Sequence, residues 1–442
     1  MISSLRKAVL WGEARDGHKG TVRQVACSPD GNLACSASGD HTCIVWDVSD
    51  GKFSRKCSLG TIPTGLTGGG QGTGHVHIVT GVAFSPGGKY IATVSYDKSV
   101  RVWSSSGDAL AVMYGHTQIV NCCTFTPDGY GILSGSTDKT LRMWRLKHKG
   151  TDTFETFPWG NGIRLEFAFA QSMAPSLSDE HMDSADYHQL MQRHRAHMPD
   201  MKCDLVTLLG HTGSVNVCAF SPDGKFVLSG SSDCTAKLWH ADKISAAFSP
   251  QSALAMTIQG HRRAIVSAAF SPCCDKLVTG SEDGTANVHL TATGELVRRI
   301  DLARGYGLCV AFCPDGEHVV VCTGGSKLRV QNVATGKLIG SADPIGKPVS
   351  TFAWSTDHQS VVCGMGDFTV RMAPFKVSKK LLSRVRTNPA HQSASSLGTS
   401  PEGSVQSSSS HSLDSSLRSG TRDMEQPLLR PEETPSTLSG VI

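Results

Sequence analysis

Serine or threonine, histidine and aspartate recur together along this chain, and these side-chain types are the nucleophile, base and orienting acid of a hydrolytic triad. Five sets are present: Ser36 with His18 and Asp40, Thr93 with His75 and Asp97, Ser134 with His116 and Asp138, Ser229 with His211 and Asp233, and Thr279 with His261 and Asp283. In each set the aspartate follows the histidine by 22 residues and the hydroxyl precedes the aspartate by four. Hydrolysis needs one exposed nucleophile beside one oxyanion hole and gives no reason for five copies of the same trio. The repetition therefore reads as structure, and no catalytic residue is assigned.

Two other groups of side chains invite a chemical reading. His181, His188, Met191, His194, His197, Met198 and Met201 form a soft-ligand cluster in which His194 and His197, three apart, could share a helical face and hold copper or zinc. No fixed ligand spacing runs through it, so a solvated or partner-binding segment with incidental histidines is favoured. The 15 cysteines sit mostly inside apolar runs, such as Cys123 in VNCCTF, Cys218 in VNVCAF and Cys309 in GLCVAF, which favours buried free thiols over a disulfide framework. No Cys-x-x-Cys pair has a matching second pair, so neither a metal nor another cofactor is expected.

The elements that must position the five sets follow from their spacing. Four of the histidines are followed 28 residues later by a tryptophan, at Trp46, Trp103, Trp144 and Trp239, and the fifth by His289. Apolar alternation of period two follows each histidine, precedes each aspartate and runs up to each tryptophan, and turns such as Ser-Pro-Asp-Gly separate the segments. Each unit is thus a small antiparallel sheet, repeated. Two degenerate units follow: Ala303, Gly325 and Gln331 take the His, Asp and Trp positions of the sixth, and Ile345 and Ala373 flank the retained Asp367 of the seventh.

The Gly-His pairs, the Ser-Pro-Asp-Gly turns and the tryptophans at this joint spacing resemble the WD-repeat family across residues 3–375, although the Trp-Asp pair itself survives only at Trp46-Asp47. The resemblance implies an all-β fold, a seven-bladed β-propeller of four-stranded antiparallel blades. It implies that the hydroxyl, His, Asp and Trp of blades one to four are structural tetrads joined by hydrogen bonds. It also implies that the chain's first strand completes the last blade, a role that the segment 4–11, SLRKAVLW, is placed to fill. Contact positions carried over from the family are the third and fifth residues after the histidine and the residue before the aspartate. They yield a candidate partner-binding face of Arg23, Ile78, Tyr96, Ile119, Asn121, Asn216, Glu282, Tyr306 and Leu308. Aromatic, aliphatic and amide groups with an arginine suit a protein or peptide ligand.

Departures from the repeat mark the rest of the organisation. The histidine spacings place a Gly-rich loop at 60–73, a smaller excess near 241–251, and a large insertion at about 149–202 in blade three, where Ile163 to Gln171 alternates like a strand and a short helix is expected after it. From 376 to 442 the chain turns serine-rich and is expected to be a disordered tail. A net charge of +4 without a dense basic block argues against nucleic acid as the main ligand. No run of apolar residues is long enough to span a membrane, and no signal-peptide pattern opens the chain, so a cytoplasmic location is the default, with the nucleus open. The expected function is a non-catalytic scaffold in a multiprotein complex, with a monomeric propeller. The alternatives are a ubiquitin-ligase substrate receptor, against which stands the lack of an F-box, SOCS-box or Trp-Asp-x-Arg signature, and, more remotely, an enzyme on a propeller frame.

Overall fold

The computed structural model describes residues 12–14, 17–50, 52–60, 74–146, 163–165, 203–244, 250–302, 309–323, 327–342, 348–355 and 360–374. Seven antiparallel sheets follow one another along them. Blade one is built from Val22–Cys27, Leu33–Ser38, Cys43–Asp47 and Ser54–Leu59, paired in that order from inner to outer strand, and every later blade repeats the plan.

The second strand of each blade explains how the blades cohere. Leu33–Ser38 and Gly131–Ser136 are buried at every position. Such strands have no solvent side, so neighbouring residues serve opposite interfaces: Ile132 packs towards blade two and Leu133 towards blade four. Seven apolar clusters result, one between each pair of adjacent blades, including blade seven with blade one. The tryptophan of the third strand always lies in the interface with the preceding blade; Trp144, for example, is fully buried against Val102 and Met113 of blade two. The sixth and seventh units, degenerate in sequence, form complete four-stranded sheets of the same plan.

Closure is made by Gly12–Ala14, which pairs with Val370–Pro374 as the outermost strand of blade seven. The described closing strand thus begins just after the segment 4–11 expected to supply it, which lies outside the described residues. Its antiparallel register, Gly12 opposite Met372 and Ala14 opposite Val370, covers an edge that would otherwise be open.

The insertion leaves blade three between its third strand, Leu141–Leu146, and its outer strand, Cys203–Leu208. One part of it returns to blade two, a placement that the sequence reading did not anticipate: Ile163–Leu165 adds a parallel fifth strand to the outer edge, Ala109–Tyr114. A parallel neighbour needs a long connection, and the chain from Tyr114 to Ile163, which includes three strands of blade three, is one. No eighth sheet is present among the described residues. The extra length after Trp239 holds two short 3-10 turns, Ala241–Lys243 and Pro250–Ala253. The Gly-rich segment 61–73, the expected helix, the histidine and methionine cluster and the serine-rich tail lie outside the described residues.

Candidate functional site: the His–Asp end of the propeller

Each complete His set closes one end of its blade. In blade three the Trp144 indole N–H donates to Ser134 Oγ at 2.8 Å, Ser134 lies 2.8 Å from His116 Nε2, and His116 Nδ1 lies 2.8 Å from Asp138. Blades two and four repeat all three bonds at 2.8 Å through Trp103, Thr93, His75 and Asp97 and through Trp239, Ser229, His211 and Asp233. In blade one Trp46 donates to Ser36 at 2.8 Å, Ser36 lies 2.7 Å from His18, and His18 lies 3.1 Å from Asp40. A neutral imidazole protonated at Nδ1 lets every donor in the series find an acceptor: indole to hydroxyl, hydroxyl to Nε2, Nδ1 to carboxylate. Burial supports that state by holding the His75, His116 and His211 imidazoles below their ordinary range.

The carboxylate at the end of the series is saturated. Asp138 accepts from His116, from the Thr117 and Thr140 amides at 3.0 Å, and from the Thr140 hydroxyl at 2.6 Å. Burial pushes its pKa up, but His116, Thr140 and Thr117 together outweigh that and keep it well below the usual carboxylate range. The hydroxyl in the middle is equally committed, since Ser134 is fully buried between indole and imidazole. A nucleophile needs access to substrate, and these hydroxyls have none.

Four of the aspartates are followed four residues later by a buried base that sequence reasoning missed. Arg371 reaches Asp367 at 3.0 Å and Arg101 reaches Asp97 at 3.7 Å, while Arg142 and Lys237 occupy the same strand position behind Asp138 and Asp233. Gly115 makes room for one of them: a Cβ there would stand 2.7 Å from Arg142 and 3.0 Å from Trp144. Blade five departs from the pattern. His261 lies 2.9 Å from Thr279 and 3.2 Å from Asp283, but His289 replaces tryptophan and Asn287 replaces the base. His289 Nδ1 and Asn287 Oδ1 are buried without a hydrogen-bond partner. A Cβ on Gly260, facing the place an indole would fill, would meet no neighbour nearer than Asn287 at 3.5 Å.

The candidate contact residues divide by what they touch. A register shift at the start of the inner strand, seen in blades one to five and in blade seven, leaves the fifth residue after the histidine position outside the pairing. Such a bulge re-aims the side chain. In three blades it aims at the next blade: Thr80 Oγ1 donates to Val120 O, Asn121 Nδ2 to Val215 O at 2.9 Å, and Asn216 Nδ2 to Ile265 O at 2.9 Å. Asn121 and Asn216 therefore tie blades together. Arg23, at the same position in blade one, is exposed, as is Glu282; Ile78, Tyr96 and Ile119 are half-buried. Tyr306 and Leu308 lie outside the described residues.

Tyr96 belongs to a three-ring stack that the contact positions did not reveal. His77 stacks on it at 5.3 Å between ring centres, and His41 of blade one lies 5.4 Å from His77 with the rings tilted by 32°. His41 follows Asp40 in the turn and has φ of 69°, the left-handed conformation that few L-residues adopt. The same turn position carries Lys98 at 65°, Lys139 at 70°, Cys234 at 68° and Phe368 at 72°. The signal was present in the sequence as the residue after each aspartate, but only the backbone shows that this residue projects from the His–Asp end. At the opposite end, a shallow cavity of about 560 Å³ between blades one and two is lined by Asp30, Asp47, Lys56 and Lys89 among others, and carries both signs of charge.

Comparison with known proteins agrees with this architecture. The family model for the WD domain, G-beta repeat, matches residues 13–47, 70–104, 107–145, 202–240 and 243–289. The small ribosomal subunit protein RACK1 of Caenorhabditis elegans is 37% identical over 231 residues, 51% of this chain and 66% of that protein. MST50-interacting protein 11 of Pyricularia oryzae is 34% identical over 235 residues, covering 53% of this chain and 69% of that protein. A mouse protein of chromatin assembly factor 1 is 36% identical over 95 residues, 22% of this chain but 14% of that protein. For RACK1 and the chromatin assembly factor protein, the match therefore spans less than two thirds of the relative's own length.

Proposed function

Because the chain belongs to the WD40-repeat family, whose propellers typically serve as protein-interaction scaffolds, we propose that it is a non-catalytic scaffold that holds protein or peptide partners at its His–Asp end. One observation carries the reading. The hydroxyl, imidazole and carboxylate groups of that end that have catalytic potential are consumed in repeated internal bonds, whereas exposed Arg23 and the half-buried rings of His41, His77 and Tyr96 lie at the same end outside that bonding. Arginine and tyrosine are the side chains that most often anchor protein interfaces. The relatives, a small ribosomal subunit protein, a protein that interacts with MST50 and a chromatin assembly factor 1 subunit, support the same class without naming this chain's assembly.

The test is affinity purification from cells of the intact chain beside an Arg23→Glu, Tyr96→Ala variant, read by mass spectrometry, with the melting temperature of both recorded. Partners lost from a variant that melts like the parent place binding on this end. Identical partner sets would sink the reading.

A further inference from the structure

We infer that the arc of the His–Asp end formed by blades one to three docks an acidic peptide segment. The inference rests on the scaffold reading above and adds the chemistry of the partner.

The charges of this end do not balance. Its loops and strand starts carry Lys19, Arg23, Lys98, Lys139, Arg262 and Arg263, whereas the exposed carboxylates among the described residues there, Glu282 and Asp301, both belong to blade five. In blades two, three, four and seven the tetrad aspartate does not cancel this excess, because a buried Arg101, Arg142, Lys237 or Arg371 stands behind the carboxylate, whereas Asp40 of blade one and Asp283 of blade five have no such base and each offsets one surface cation. The potential outside blades two and three is therefore set by the surface cations.

Two of those cations are placed by backbone strain. Lys98 and Lys139 occupy the left-handed turn position at φ of 65° and 70°, where glycine fits best and where blade five does use Gly284 at 82°. A lysine there costs about 1 kcal/mol of conformational energy relative to an unstrained site, and for exposed Lys139 packing gives no return, whereas Lys98 is half-buried. The same arc carries the ring contacts of His41, His77 and Tyr96, which join blades one and two, and half-buried Ile78 and Ile119. A ligand matching both features has carboxylates next to an apolar or aromatic residue. Nucleic acid fits less well, because a phosphate backbone asks for a continuous row of cations, and here they are spaced one or two to a blade.

The experiment uses the full chain and fluorescein-labelled peptides of about twelve residues. One is rich in Glu and Asp around a central Phe; the second has Gln and Asn at the acidic positions; a single-stranded oligodeoxynucleotide of similar length is the third probe. Anisotropy titrations are run at about 50 and about 300 mM salt. The expected result is binding of the acidic peptide at least about tenfold tighter than of its amide counterpart, weakened by salt. The double variant Lys98→Gly, Lys139→Gly removes two charges while relieving the turn, so it keeps the fold; it should lose about tenfold in affinity, and Arg262→Ala, Arg263→Ala in blade five less than about threefold.

Equal binding of acidic and amide peptides, tighter binding of the oligonucleotide, or a loss confined to the blade-five variant would each overturn the assignment. If cellular partners still depend on Arg23 and Tyr96 while the acidic peptide fails, the charge class falls and the scaffold reading stands. If partner binding is also indifferent to those residues, both fall.

Discussion

Removing Asp138 tests whether the tetrads hold the blades. Asp138→Ala leaves the Nδ1–H of the His116 imidazole, whose side chain is fully buried, with only the Thr140 hydroxyl at 3.5 Å as acceptor. Stranding one buried donor costs about 1–3 kcal/mol. The Thr117 amide is near solvent and can turn to water, so it adds little. Arg142 adds more: it is 6% exposed, its Nε and Nη1 have no hydrogen-bond partner, and the substitution takes away its counter-charge. A total of about 3 kcal/mol is expected. Spread over the unfolding entropy of the roughly 360 residues between Gly12 and Pro374, this lowers the melting temperature by about 4 °C. Asp138→Asn, which keeps an acceptor for His116 but not the charge, should show about half the fall. Asp301→Ala serves as the control: its side chain is 86% exposed and pairs loosely with Arg299 at 3.5 Å, so it should change stability by less than about 0.5 kcal/mol. Differential scanning calorimetry of the four proteins decides. If Asp138→Ala melts within about 1 °C of the parent, the hydrogen-bonded series is not what clamps the blade.

Other consequences are as direct. His289→Trp should raise stability, because the indole N–H can donate to Thr279 as in the other blades and the orphaned imidazole nitrogen disappears; a lower melting temperature would show that blade five has closed over the missing ring. Acidification should destabilise the fold in two stages. Burial depresses the imidazoles of His75, His116, His211 and His261, and pushes His289 down to about 4 with help from His261. Unfolded histidines then bind protons before folded ones do, and stability is lost as pH falls below about 6.5. The tetrad carboxyls, Asp233 at about 2 for instance, are raised by burial but lowered further by Thr235, Thr212 and His211, so their contribution is lost below about pH 4. A melting temperature constant between pH 7 and pH 5 would contradict the first stage. Burial also raises the thiols of Cys123, Cys322 and Cys363 far above their ordinary range, so an alkylating reagent at neutral pH should modify exposed Cys273 first and spare these three until the chain unfolds.

The propeller was legible because its determinants are local and periodic. A histidine, a hydroxyl, an aspartate and a tryptophan at constant spacing mark the ends and centre of each sheet, and alternation marks the strands. Even blades six and seven, which lack most of the polar set, keep the continuous apolar runs of VVVCT and VVCGM that two-sided burial demands. What the sequence did not show depends on convergence between blades. The parallel strand Ile163–Leu165 joins a blade other than the one its chain leaves. The bulge that turns Asn121 and Asn216 towards the next blade is invisible in residue types; it makes amides that look like ligand contacts into structural ties.

The same distinction separates the polar groups that build this end from those available for binding. Asp97 and Lys98 are neighbours in sequence and both are ionisable, yet the carboxylate is 2% exposed and answered by His75, Ser99 and Arg101, whereas the lysine projects from a left-handed turn with no ion pair among the described residues. Charge counted from composition treats the two as cancelling. Charge counted by what a ligand can reach leaves the cation. A chain whose net charge is only +4 can therefore present a basic arc, because in blades two and three a buried arginine stands behind the acid while the lysine after it stays on the turn. Recognition at this end is then governed by the turn residues His41, Lys98 and Lys139 and their neighbours, and the constant spacing that announces the fold carries little of the specificity.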